Sequence, residues 1–281
     1  MSAVKTLGEH RAFGGTQGYY EHVSAACSGP MKFAVFVPER RGSASVPVLY
    51  YLAGLTCTEE TFTTKGGAQR VASELGIALV MPDTSPRAVR YPGDDASWDF
   101  GLGAGFYVDA TESPWSSGYR MFSYVTEELP ALVEGHFGLD GARRGVFGHS
   151  MGGHGALVCA LRRPDLYRTV SAFAPIGSPS RVPWGEKAFS SYLGSDRSTW
   201  LAYDATALVE SGKRQSHILV DQGLADKFLE RELRPEIFEA ACKAHGQELT
   251  VRRHAGYDHG YFFVSTFAED HVRHHARGLS A

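Results

Sequence analysis

The sequence predicts an α/β protein built on a mostly parallel central sheet flanked by helices on both faces. Two observations carry this expectation. Apolar runs of strand length alternate with longer stretches of helical period along the chain, which is the pattern of repeated crossovers onto a parallel sheet. The length, 281 residues, is also one that a single α/β domain commonly fills, so 1–281 is read as one domain.

About seven runs read as strands. The stretch 31–38 alternates like an edge or antiparallel strand, whereas 46–52, 76–81 and 144–147 look like buried central strands. Runs at 169–174, 218–220 and 249–253 continue the series. Helices are expected over 67–75, 119–135, 152–163, 228–245 and 260–277, with Pro130 ending or bending the second. Two insertions interrupt the alternation, at about 84–118 and 176–215. In a parallel sheet the ligand crevice lies beyond the carboxyl ends of the strands, where such insertions gather, so they are the candidate pocket walls.

Composition narrows the function classes. Hydrophobic residues at 43% and charged residues at 21% are ordinary globular values, which argues against a fibrous or largely disordered chain. A formal net charge of −3 provides no whole-surface attraction for nucleic acid or an anionic membrane, and neither is expected as a partner. Residues 1–10 lack the apolar core of a signal peptide, and no stretch approaches a membrane span, so a cytoplasmic protein is expected. Cys27, Cys57, Cys159 and Cys242 form no C-x-x-C pair and are expected as reduced thiols. A homodimer is expected only because it is the commonest soluble assembly.

The chemistry enters at Gly148-His149-Ser150-Met151-Gly152. This fits G-x-S-x-G, in which a strand turns sharply into a helix and exposes the serine oxygen. A plausible strand precedes it and a plausible helix follows, as the α/β-hydrolase fold requires. A serine hydroxyl needs a base to take its proton and an acid to orient that base, in the chain order Ser, acid, His. His259, in a loop after the last strand, is favoured as base over His254 at the end of that strand. For the acid, spacing favours Asp226 without excluding Asp221. The developing oxyanion needs backbone donors, one from Met151 and one from the loop after an earlier strand, for which 53–58 is the natural source. His271 and His275, four apart on the last helix, are read as a solvated helix end in preference to a metal site.

Longer strings carry a resemblance. They are 54–60 (GLTCTEE), 98–111 (WDFGLGAGFYVDAT), 124–130 (YVTEELP), 148–156 (GHSMGGHGA), 184–189 (WGEKAF), 221–223 (DQG) with Asp226, and 257–261 (YDHGY). Together they resemble the S-formylglutathione hydrolase, or esterase D, family from about Pro47 to the C-terminus. The resemblance implies Ser150 as nucleophile, Asp226 as acid, His259 as base, and the backbone N–H groups of Leu55 and Met151 as oxyanion donors. It implies hydrolysis of a glutathione thioester to glutathione and formate, with no metal or organic cofactor. Substrate contacts are expected from Trp98, Trp184, Lys187 and Cys57, and Lys65 or Arg181 are further candidates for the glutathione carboxylates. The chain departs from the family string at Glu186, where a second lysine is common, and over 94–97. Other readings are a general carboxylesterase, an acyltransferase resembling the mycolyltransferases, and a non-catalytic binding protein of the same fold.

Overall fold

The computed structural model describes residues 3–40 and 45–280. Met1 and Ser2, part of the N-terminal stretch in which no leader is read, lie outside the described residues. In chain order the strands are β1 (Lys5–Ala12), β2 (Gly15–Ser24), β3 (Gly29–Val37), β4 (Val46–Leu52), β5 (Ala78–Pro82), β6 (Leu139–His149), β7 (Thr169–Phe173), β8 (Ile218–Gly223) and β9 (Leu249–His254). The helices are α1 (Glu59–Lys65), α2 (Gln69–Leu75), α3 (Met121–Ser123), α4 (Leu129–Phe137), α5 (Met151–Arg162), α6 (Pro183–Tyr192), α7 (Arg197–Trp200), α8 (Ala205–Glu210), α9 (Pro235–His245) and α10 (Tyr261–Leu279).

All nine of these strands form one sheet in the order β1-β2-β3-β5-β4-β6-β7-β8-β9. From β5 to β9 every pairing is parallel. This is the mostly parallel sheet expected, and the apolar runs of β4, β5 and β7 are buried on both faces. Side-chain alternation separates the layers. Thr169, Ser171 and Phe173 face α10, where they meet His275 and His271. Phe147 of β6 also meets His275, so its neighbour Gly148 points to the opposite face, where α5 closes against it.

The structure corrects the sequence reading in five places. β3 is antiparallel to both neighbours but lies inside the sheet, not at its edge, because a hairpin of β1 and β2 adds two strands beyond it. That hairpin raises the count from seven to nine; β1 is almost wholly exposed and carries no apolar alternation to reveal it. Helix α1 was also unforeseen, although Thr58 caps it by accepting from the Glu60 amide. Of the two outcomes expected at Pro130 the structure excludes ending: the helix runs on to Phe137, with a π-turn over Tyr124–Glu128 opening the backbone ahead of the proline ring. The helix expected over 228–245 is split, with a π-turn at Leu229–Leu233, Arg234 in the left-handed region at φ 43°, and α9 starting on Pro235. A proline disfavours helical backbone in the residue before it, which accounts for the break. The second insertion holds α6, α7 and α8, and the first holds a short turn at Trp115–Ser117.

Candidate active site

The turn from β6 into α5 is as sharp as the glycine spacing predicts. Ser150 sits at φ 59°, ψ −119°, a conformation that costs an L-residue about 1–3 kcal/mol and persists only where surroundings enforce it. The enforcement is steric and hydrogen-bonded. A Cβ on Gly148 would stand 2.2 Å from the Gly152 carbonyl oxygen, and one on Gly152 would stand 1.9 Å from that of Leu52. The Ser150 amide donates to the Phe173 carbonyl at 2.9 Å, and the Ser150 carbonyl accepts from the His154 amide at 3.0 Å.

Two loops at the carboxyl ends of β8 and β9 bring the remaining groups to this serine. His259 Nε2 lies 2.9 Å from Ser150 Oγ, and its Nδ1 lies 2.5 Å from Asp226 Oδ2. With Nδ1–H donated to the carboxylate, Nε2 is left to accept the hydroxyl proton. The other carboxylate oxygen accepts from the Phe228 amide at 2.8 Å, which holds Asp226 in place. Asp258, next to the histidine, accepts instead from the Gly260 amide at 2.8 Å.

The competing residues have other partners. Asp221 is fully buried and receives Arg252 in two-pronged fashion, each contact 2.6 Å, with His271 Nε2 3.3 Å away. Burial pushes its carboxyl up, but His271 and Arg252 beside it outweigh burial and hold it at about 2. It therefore anchors an ion pair and does not face His259. His254 stacks on Phe267 at 3.8 Å between ring centres. His271 and His275 are not a solvated helix end: both are completely buried and bonded to Ser171 and Thr169 across the sheet face. Among the described residues no His, Cys, Asp or Glu group is arranged to hold a metal ion.

Leu55 leads the loop after β4. A Cβ on Gly54 would lie 3.2 Å from the Ser150 Cβ, so this loop passes directly over the elbow. Three clamps hold it: the Thr56 amide donates to Gly103 O at 2.9 Å, and the Cys57 carbonyl accepts from Thr84 Oγ1 at 2.6 Å and from Arg87 Nη2 at 3.0 Å. Met151 is the first residue of α5, where the backbone N–H has no intrahelical acceptor and the helix dipole favours negative charge.

A pocket of about 140 Å³ opens on Ser150, walled by Leu55, Cys57, His149, Trp98, Trp184 and Phe228. Trp98 and Trp184 come from the two insertions and meet edge to face at 5.6 Å. Burial pushes the Cys57 thiol up, so a neutral thiol lines the wall. Burial also keeps the His149 imidazole well below its ordinary value. Sequence reasoning named Trp98, Trp184 and Cys57 but missed Phe228 and His149; the latter was the variable position of the motif itself. Lys187 is absent from this pocket, bound to Asp99 Oδ1 at 2.5 Å and to Ser97 Oγ at 2.8 Å. Arg181 pairs with Glu210.

Comparison with known proteins gives the family and the fold. Residues 24–274 match the Esterase family. Curated relatives include the S-formylglutathione hydrolase of Rattus norvegicus, 53% identical with 99% of each chain covered, and that of Bos taurus, 52% identical over 99% of this chain and 100% of that one. The solved S-formylglutathione hydrolase from Agrobacterium tumefaciens superposes with a TM-score of 0.95 at 51% identity, covering 98% of this chain and 99% of that one. The chain belongs to the S-formylglutathione hydrolase family. A fluorophosphonate-binding serine hydrolase of Staphylococcus aureus, at 16% identity and TM-score 0.74 over 93% of this chain and 98% of its own, shares the fold. The family resemblance drawn from the sequence strings and the α/β-hydrolase architecture both stand. Among the described residues, no helix is long and apolar enough to cross a membrane.

Proposed function

We propose that this chain hydrolyses S-formylglutathione to glutathione and formate through a formyl-Ser150 intermediate. The observation that carries the mechanism is the continuous path Ser150 Oγ–His259–Asp226, at 2.9 and 2.5 Å, beneath the Leu55 loop. Ser150 Oγ attacks the formyl carbon while His259 Nε2 takes its proton, and Asp226 stabilises the imidazolium. The amides of Leu55 and Met151 receive the oxyanion. The tetrahedral adduct collapses by breaking the carbon–sulfur bond, and His259 returns the proton to the departing sulfur. Water then attacks formyl-Ser150, losing its proton to the same histidine, and formate leaves.

The family match favours the thioester reading over that of a general carboxylesterase of small acyl esters, and the small pocket favours a short acyl group. About 140 Å³ bounded by two indoles suits a one-carbon acyl group. Turnover of S-formylglutathione is therefore expected to exceed that of p-nitrophenyl butyrate by orders of magnitude in kcat/KM. Ser150→Ala is expected to lose about 10⁴-fold or more in kcat with its thermal midpoint retained. A variant within tenfold of wild type would overturn the mechanism.

A further inference from the structure

Two adjacent residues of the first insertion hold a backbone conformation that side chains disfavour. Phe106 and Tyr107 sit at φ 48° and 50°, the one consecutive left-handed pair of non-glycine residues among those described, and both are fully buried. Such strain persists only where surroundings enforce it, and it gathers at working sites. Here the surroundings are the two elements that carry the candidate chemistry. A Cβ on Gly155 of α5 would stand 2.5 Å from the Tyr107 ring, so that ring lies directly on the helix that follows Ser150.

Each member of the pair takes part in one hydrogen bond to a neighbouring element. His154 Nε2, one turn into α5, lies 2.8 Å from the Phe106 carbonyl and therefore carries the proton that it donates. Its Nδ1 has no partner, as suits the bare nitrogen of a neutral ring, and burial holds this imidazole down to about 4, so the donor is intact near neutral pH. Tyr107 Oη donates to the Ala53 carbonyl at 2.9 Å, and burial pushes the phenol up, so it too keeps its proton. Ala53 leads into the loop that crosses the elbow; a Cβ on Gly152 would lie 2.5 Å from the same carbonyl oxygen. The next carbonyl, that of Gly54, accepts from the Cys57 amide at 3.2 Å. In a planar trans peptide the Leu55 N–H points opposite to the Gly54 carbonyl, so the setting of these two carbonyls aims the Leu55 amide.

We propose that Tyr107 and His154 are positioning residues for the oxyanion, forming a buried relay that runs from α5 through the Phe106–Tyr107 turn to Ala53 and fixes the Leu55 loop against Ser150; this rests on the acyl-transfer mechanism above, with Leu55 as donor. A relay anchored on α5 keeps donor and nucleophile in one frame, since Ser150 opens that same helix. Neither residue lines the pocket on Ser150. Their loss therefore leaves ground-state binding alone and appears in kcat, where a donor aimed away from the developing charge stabilises it less. The effect is common to every acyl substrate, because the oxyanion is common to them all.

The test separates tetrahedral from ground-state binding. Tyr107→Phe removes one hydroxyl and keeps the ring, and it is expected to lower kcat about tenfold on both S-formylglutathione and p-nitrophenyl acetate with KM retained. Trifluoroacetone, whose adduct with Ser150 places an oxyanion before the same donors, binds the variant about tenfold more weakly, whereas the Ki of S-methylglutathione stays at its wild-type value. His154→Leu gives the same pattern, and His154→Gln, which keeps an N–H donor, recovers part of the loss. Y107F/H154L loses no more than the larger single variant, since both act through one relay. A Tyr107→Phe enzyme within about twofold of wild type in kcat and in trifluoroacetone affinity overturns the relay. So does a loss confined to KM, or a lowered thermal midpoint with the rate of folded molecules intact, either of which marks a purely structural residue. Wild type that binds no trifluoroacetone and cleaves neither ester overturns the mechanism and the relay with it. Wild type that cleaves only the aryl ester overturns the thioester reading, and the relay then stands or falls on that ester and on trifluoroacetone.

Discussion

Asp226 and Asp221 lie five residues apart at the end of β8, and their surroundings give them different work. Asp226 turns toward His259 and is fixed by the Phe228 amide, whereas Asp221 is sealed beneath the sheet end with Arg252. Asp226→Asn is expected to lower kcat by about 10⁴-fold, because the imidazole loses the acceptor that sets its tautomer, with little change in thermal midpoint. Asp221→Asn removes the buried one of two carboxylates on Arg252, leaving Asp270 at 2.7 Å, and is expected to cost about 1–3 kcal/mol of stability, read by denaturant unfolding, while folded molecules keep most of their activity. A larger rate loss in Asp221→Asn than in Asp226→Asn would reverse the assignment. Position along the chain favoured Asp226. Nothing in the sequence paired Asp221 with Arg252, since a partner 31 residues away on the next strand becomes a neighbour only through the parallel register. His271 and His275 misled for a related reason: a polar residue type on a helix reads as a wet face, yet Ser171 and Thr169 supply the hydrogen bonds that let both be buried.

Among elements, the loop between β4 and α1 is held from outside itself. The bond from Arg87 to the Cys57 carbonyl is aimed by Asp83, whose two oxygens take the Arg87 Nε at 3.0 and 2.7 Å. Both residues precede or begin the first insertion, so that segment holds the loop at Thr56 and Cys57, next to Leu55, as well as walling the pocket. Arg87→Met is expected to lower kcat about tenfold or more with KM nearly unchanged, since displacing the Leu55 amide proposed as oxyanion donor would weaken transition-state binding. Arg87→Lys should recover part of the loss. An altered KM with intact kcat would show that the segment acts on substrate binding instead. The elbow was legible because its constraint is local, two glycines flanking a serine between a strand and a helix. The Leu55 loop was legible from its place after an apolar strand. The brace was not, because Asp83 and Arg87 read as ordinary surface charges until the fold lays them against Cys57.

For the molecule as a whole, acid sensitivity follows from buried imidazoles. Burial holds His149, His154, His271, His274 and His275 below the ordinary histidine value, His154 and His274 at about 4. On unfolding each returns to near 6.5, so between about pH 6.5 and 4 the unfolded chain binds more protons than the folded one. Their contribution to stability is complete above that window and is lost as pH falls through it. Asp221, held at about 2, loses its contribution only below about pH 4. The thermal midpoint is therefore expected to fall by about 5 °C or more between pH 7.5 and pH 5. A flat profile over that range would show that folded and unfolded chains bind equal numbers of protons there, so that burial does not hold these histidines below their ordinary value. At this scale the alternation of apolar runs and helical stretches was enough to predict the parallel half of the sheet. Of the antiparallel part only β3 was legible; the outer hairpin was missed, its strand β1 offering no buried face.

The same hairpin leaves the sheet with two open ends, and their chemistry bears on how concentrated solutions behave. A strand with unpaired amides and carbonyls is a template on which another chain can add, in fibrils or in crowded expression hosts. β1 carries Lys5, Glu9, His10 and Arg11, and its pairing slips between Thr6 and Gly8. At the far end β9 carries Arg252 and Arg253. Charge and irregularity at both edges raise the cost of adding a strand at either one, so the strand order stops at nine instead of continuing from molecule to molecule.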